Sequence, residues 1–223
     1  MSELPVLALL AWATLVGLDL VSVLQGLFNR PLVAGAVTGA ILGDPEAGIR
    51  IGAALELFEL DVLPVGASRY PDYGAATVAA VVFGAHQPWV VALGPAVLLG
   101  LVLAHLGSWS IVMHRRVTAW ALRRTASALD RGERGAAVRV HLAGLLADVV
   151  RSGVLAIVGI GLAIQLGGPA RLDLGTARVL TLVVIGGGFV AVIGGALRRA
   201  GTLRRITWFA GGMAMGVLAL ALR

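Results

Sequence analysis

Glu56 and Glu59 are the residues best placed to do chemistry, because both stand in an apolar run. Gly48, Gly52, Glu56 and Glu59 recur at spacings of four, four and three, hence on one face of a helix. Ile51, Leu55, Phe58 and Val62 make the adjacent apolar face. Two carboxylates therefore look out over a glycine-lined surface. An acid at membrane depth is costly and faces a cavity, water or a partner. Ionised, it accepts hydrogen bonds from hydroxyl groups. Glu59 and Asp61 also admit a plainer reading, in which they reach the headgroup region.

Four further polar groups interrupt apolar sequence. Asp19 lies inside the run 4–24, where it is either buried against another helix or marks a helix end near the interface. Asp72 follows the turn-forming stretch LPVGASRYP and suits a helix cap. His86 and Gln87, ahead of Pro88, can hydrogen-bond a polar solute or cap helix ends. Asp148 and Arg151 stand at i, i+3 and can neutralise each other. An intramembrane serine protease has little support: Ser108 and His105 are three apart, without a G-x-S-x-G elbow. His86, His105, His114 and His141 are scattered, so no metal-ligand cluster and no cofactor is expected.

The elements that must position these groups are broken hydrophobic segments. Pro31–Leu42 is a 12-residue run, about 18 Å of helix and roughly half a bilayer core. Gly43 suits a helix C-terminus, Asp44 an N-cap, Pro45 a first helical position and Glu46 the positive end of the next dipole. A second short helix then runs over residues 45–60. The pattern repeats with an apolar stretch at 74–85, a turn at His86-Gln87-Pro88, and a helix at 89–106 broken at Gly94-Pro95. Paired, interrupted hydrophobic segments point to a transport site, with the two hairpins facing each other near mid-membrane. Residues 4–24 read as a retained helix, since a basic leader and a small-residue cleavage site are missing. Residues 140–165, 178–197 and 206–222 complete the spans.

Composition agrees. The 223 residues are 58% hydrophobic and 13% charged, with mean hydropathy +0.92. Such a chain is an all-α polytopic membrane protein, with six or seven embedded segments and two re-entrant-like short-helix hairpins. Cysteine is absent, which excludes disulfides and thiolate chemistry. The net charge of +6 is all arginine over acid and sits in loops; it is a topological signal and not nucleic-acid binding. Arg115, Arg116, Arg123, Arg124, Arg131, Arg134 and Arg139 mark residues 114–139 as cytoplasmic, with Val117, Trp120 and Leu122 suggesting an amphipathic helix along the interface. This region is a solvated anchor or a docking surface for a soluble partner. Arg198, Arg199, Arg204 and Arg205 mark a second cytoplasmic loop. The whole reads as one integral domain over 1–223: a hairpin-rich pathway half (1–109), a basic segment (110–142) and C-terminal helices (143–223).

Taken in order, G-L-D at Gly17 to Asp19, N-R-P-L-V at Asn29 to Val33, L-G-D at Leu42 to Asp44, G-I-R-I-G-A-A-L-E-L at Gly48 to Leu57, P-V-G-A at Pro64 to Ala67 and P-D at Pro71-Asp72 form a series. This series resembles the membrane subunit IIC of the mannose/fructose/sorbose-type sugar phosphotransferase system. The resemblance is strong over residues 17–87 and weaker beyond. It implies a multi-pass subunit of the bacterial inner membrane, working as an oligomer with a second membrane subunit, IID. It also implies soluble IIA/IIB phosphocarriers, with IIB phosphorylating a hexose as it arrives. The IIC chain itself would carry no phosphorylated or catalytic residue. On matching positions Glu56 and Asp72 would meet the sugar, with Asp19, His86 and Gln87 beside them. The chain departs from the family pattern at Glu59 and Asp61, where apolar residues or glycine are expected, and in a last span that ends early. An incomplete system, in which the chain is a non-transporting regulatory scaffold, is the alternative.

Overall fold

The computed structural model describes residues 3–23, 25–62, 68–167 and 173–200, with 207, 208, 210–212 and 215. Seven helices account for most of them: α1 Glu3–Val21, α2 Pro31–Leu42, α3 Pro45–Glu59, α4 Tyr73–Gly84, α5 Trp89–Asp130, α6 Arg134–Leu166 and α7 Leu174–Ala200. Among the described residues there is no strand. Three helices, Trp89–Asp130, Arg134–Leu166 and Leu174–Leu197, are long and apolar enough to cross a membrane. The expected all-α polytopic membrane fold is therefore present. The P-V-G-A motif, the loop 201–205 and most of the expected span 206–222 lie outside the described residues.

Local signals place the short helices. Gly43 takes a left-handed conformation at φ 75°, and its N–H and that of Asp44 close the last turn of α2. Asp44 caps α3, accepting from Ala47 N at 3.1 Å, and Pro45 opens that helix. Asp72 caps α4 in the same way, from Ala75 N at 3.3 Å. The glycine faces of α2 and α3 are used against each other. A Cβ atom on Gly39 would lie 2.9 Å from Gly48 Cα, and one on Gly52 would lie 3.2 Å from Leu32 Cα. The expected glycine surface open to a solute is thus filled by the partner backbone, as close packing of small residues in a membrane favours.

The second hairpin differs from expectation. Its first limb, α4, is short, but α5 runs for 42 residues and does not break at Gly94-Pro95. α7 packs against this point, where Gly94 N donates to Thr181 Oγ1 at 3.1 Å, and membrane helices tolerate proline where a neighbouring helix adjoins. Nor is there a separate interfacial helix over 114–139. Those residues are the end of α5, a turn at Gly132 (φ 72°) and the start of α6. At 42 and 33 residues, α5 and α6 extend about 63 and 50 Å against a core of about 30 Å. Their joined basic ends project as an antiparallel pair.

The hairpin tips lie at the opposite end of the bundle. A Cβ on Gly167, just past α6, would sit 3.3 Å from the Phe83 carbonyl oxygen near the end of α4. The tips are therefore level with the end of α6 instead of partway along it. The short helices flank only the part of α5 and α6 remote from the arginines. α7 runs parallel to α5, with Leu180 and Thr181 against Gly94 and Gly195 against Asp61, so it finishes at the basic end. That end is expected to be cytoplasmic. Because the chain has no cysteine, Ser127→Cys at an exposed position gives a clean reporter. It should resist an impermeant thiol reagent added to intact cells and react after lysis. Labelling in intact cells would invert the topology.

Candidate functional site

The tips of the two hairpins are bonded to each other. Asp44 Oδ2 accepts from His86 N at 2.8 Å, and His86 Nε2 lies 3.0 Å from the Leu42 carbonyl oxygen. His86 holds φ 61°, a left-handed conformation fixed by those contacts. The Gln87 amide donates to Phe83 O. His86 and Gln87 thus act as caps on helix ends, the plainer of the two expected roles. Gln87 also lines a cleft of 260 Å³ with Asp44, Glu46, Arg50 and Trp89. Arg50 pairs with Glu46 there and lies 5.4 Å from the Trp89 ring centroid.

This cleft is not beside Glu56. Asp44 and Glu56 stand at opposite ends of α3, about 18 Å apart along the axis. α4, 12 residues and about 18 Å long, likewise stands between Asp72 and His86. The five expected site residues therefore fall into two places: His86 and Gln87 at the tips, and Asp19, Glu56 and Asp72 at the other ends of the short helices.

At those other ends α1 finishes, α2 starts, α3 finishes and α4 starts, and a polar layer joins them. Asp19 is 2% exposed and accepts from Gly26 N at 2.6 Å and Asn29 N at 3.0 Å, which folds the connection from α1 to α2. Arg30 then pairs with Glu56, whose second oxygen accepts from Leu32 N at 3.1 Å in the first turn of α2. Glu56 is therefore not the unpaired carboxylate that its apolar setting suggested. Glu59, one turn on, has Oε1 3.9 Å from Arg30 Nη1, and its Oε2 has no hydrogen-bond partner among the described residues. The connection packs against the start of α4, where a Cβ on Gly74 would meet Asn29 Cα at 2.8 Å.

The layer continues through Arg151. Its Nε donates to Asp148 Oδ1 at 2.7 Å, the pairing expected from their spacing. Nη1 reaches Asp72 Oδ2 at 3.1 Å and Ser110 Oγ at 3.3 Å; Nη2 reaches Gly17 O at 2.9 Å and Ser152 Oγ at 3.1 Å. Ser22 donates to the other oxygen of Asp148. One guanidinium thus joins α1, α5 and α6 to the residue that caps α4. Close approach requires Gly17, whose Cβ would fall 2.8 Å from Ser152 Cβ, and Gly107, whose Cβ would fall 2.7 Å from Asp72 Cβ.

Two members of the layer escaped the sequence reading: Arg30, and Arg151 as a partner of Asp72. Both carried a signal, since a cation in an apolar run requires an anion nearby. Their partners stand 26 and 79 positions away, beyond any helical spacing. Among the described residues no group of three or more His, Asp or Glu residues could hold a metal ion.

Comparison with known proteins adds to this geometry. A family model described as "PTS system sorbose-specific iic component" matches residues 4–209. The mannose-specific EIIC component of Escherichia coli K12 is 28% identical over 183 residues, covering 76% of this chain and 63% of that protein. The fructose permease IIC component of Bacillus subtilis is 29% identical over 202 residues, covering 88% and 72%. The chain thus spans less than two thirds of the mannose-specific relative. Two solved structures share the fold at 22% identity, each covering 100% of this chain and 94% of the other. One is described only as a membrane protein, with TM-score 0.70. The other is the mannose transporter ManYZ in complex with microcin E492, with TM-score 0.63.

Proposed function

Given that the chain belongs to the sorbose-specific IIC family of the phosphotransferase system, as the match over residues 4–209 establishes, we propose that it binds a hexose within the bacterial inner membrane and passes it to a soluble IIB phosphocarrier for phosphorylation. The relatives named for mannose, fructose and sorbose support a hexose as the solute class. The observation that carries the reading is the polar layer. Ordinary spanning helices keep acids out of the bilayer, whereas four helix ends here bring Asp19, Glu56, Glu59 and Asp72 together with Arg30 in an apolar fold. We assign Glu56 to the sugar, with Asp72, buried under Arg151 at the start of α4, and Asp19 shaping the helix ends beside it. His86 and Gln87 belong to the outer mouth, at the cleft. A IID subunit is the expected membrane partner, and the working unit is an oligomer.

Binding at this layer makes Glu56→Gln informative. The amide oxygen can still accept from Leu32 N, so the start of α2 keeps its cap, while the charge is lost. Hexose affinity of the purified complex, measured by titration calorimetry, should fall by about 1.5–3 kcal/mol, the worth of a hydrogen bond to a charged group. Unchanged affinity in a well-folded variant would falsify the assignment of Glu56.

A regulatory scaffold is the second reading, favoured by the projecting basic pair of α5 and α6. Arg123, Arg124 and Arg131 stand on its exposed surface, where an acidic soluble domain can dock. Reconstituted vesicles separate the two. A transporter with its partners accumulates sugar phosphate, whereas a scaffold binds the phosphocarrier and leaves the sugar outside.

A further inference from the structure

α5 and α6 enclose a groove of about 610 Å³ that is separate from the outer cleft. Met113 and Val117 of α5 form one wall, and Leu146, Val150 and Val154 of α6 the other. All five are exposed. Gly144 lies against Thr118, which sets the register of the two antiparallel helices and brings Val117 level with Leu146. From Leu146 to Val154 the groove runs about 12 Å along α6, close to one leaflet of a hydrocarbon core about 30 Å thick. Arg151 lies at the floor, but its N–H groups are taken by Asp148, Asp72, Ser110, Gly17 and Ser152. The floor therefore offers no free charge.

Free charge stands at the rim instead. Arg116, Trp120 and Arg124 recur every four residues, hence along one face of α5, beside Met113 and Val117. Arg124 Cζ lies 4.1 Å from the Trp120 ring centroid, and its side chain leans toward the helix N-terminus, which is the groove side. Both arginines are exposed, and neither pairs with a carboxylate among the described residues. An apolar channel, then a tryptophan, then unpaired arginines is the order of an acyl chain, an ester region and a phosphate.

We propose that this groove seats one anionic phospholipid from the leaflet at the basic end of the bundle. Its acyl chain lies against Val150 and Val154, and its phosphate meets Arg116 and Arg124 beside Trp120. A guanidinium suits a phosphate because it donates charge-assisted hydrogen bonds in pairs. A headgroup that adds an ammonium to its phosphate brings a like charge to the same rim and is disfavoured. Each arginine near the surface contributes about fivefold in affinity for an anionic lipid.

Native mass spectrometry of the full chain tests this, with the chain released from detergent micelles that hold equal amounts of phosphatidylglycerol and phosphatidylcholine of identical acyl chains. The native chain should retain phosphatidylglycerol over phosphatidylcholine by at least about tenfold. Arg116→Gln combined with Arg124→Gln should bring that ratio close to one at an unchanged melting temperature, since both side chains are exposed. Val154→Trp fills the groove and should lower the retention of both lipids. A ratio near one in the native chain, or an unchanged ratio in the double arginine variant, overturns the proposal. So does native lipid retention in Val154→Trp. If the groove instead seats a protein subunit, Val154→Trp releases that subunit on a sizing column and leaves the lipid ratio as it was, which overturns the proposal too. The arginine variant, altered only on an exposed face, decides the matter even where the tryptophan variant does not fold.

Discussion

Arg151→Met should cost about 3–5 kcal/mol of stability, because it leaves buried carboxylates without their cation. Arg151 is 8% exposed, Asp72 1% and Asp148 0%. Removing the guanidinium strips both acids of their charge partner and removes the donors to Gly17 O, Ser110 and Ser152 at once. Little folded protein should survive detergent extraction, and what survives should melt well below the native chain. Restoring neutrality is the control. Arg151→Met combined with Asp72→Asn and Asp148→Asn should recover a large part of the loss, since the residual cost is then hydrogen bonding and packing. Arg151→Lys should recover less than its charge suggests, because one ammonium cannot span five acceptors held in a planar fan. A native melting temperature in the Met variant would mean that the cluster is not a clamp.

Gly48→Ala should rank next. The added Cβ would overlap the Gly35 carbonyl oxygen and lie 2.8 Å from Gly39 Cα. These atoms are backbone, so no side chain can swing aside and the two helices must separate. Overpacking of this kind costs about 1–3 kcal/mol and occasionally more, while alanine returns up to about 1 kcal/mol of helix propensity. Net destabilisation is therefore expected, growing steeply for Gly48→Val. Gly186 in α7 faces open space, and Gly186→Ala should be neutral or mildly stabilising. Melting curves of the two alanine variants in the same detergent check the pair. Equal effects would refute the packing role.

The legible parts of this fold were those encoded within one turn of helix. Pro31, the Gly43-Asp44-Pro45 turn and Asp72 each announce a helix end through backbone chemistry that needs no distant partner, and the ends of α2, α3 and α4 fall within a residue of the expected positions. The Asp148–Arg151 pair is local in the same sense. What failed depended on a neighbour. Pro95 looks like a break, and nothing local shows that α7 packs there with Thr181 on the Gly94 N–H. A glycine stripe tells of close approach but not of what approaches, and here α2 and α3 consume each other's stripes. Glu56 looked unpaired because Arg30 lies across a hairpin, and His86 looked adjacent to Glu56 because pattern alone does not say which ends of short helices meet. The run of arginines speaks to a side of the membrane, yet held nothing to show that α5 passes through it unbroken.

The backbone contact between α2 and α3 bears on how the chain enters the bilayer. α3 carries Glu46, Arg50, Glu56 and Glu59 in 15 residues, and a charged residue at a helix centre costs the insertion machinery roughly 2.5–3.5 kcal/mol. Alone, α3 would partition to water. α2 contains no charged residue but, at 12 residues, is too short to cross by itself. Neither is a topogenic signal in its own right. The glycine seam makes them one folded-back object, about 20 Å deep and so still short of a crossing, and α2 carries α3 into the lipid as cargo. Biogenesis must therefore wait until residues through α3 have left the ribosome, and the hairpin enters post-translationally with respect to its own first limb.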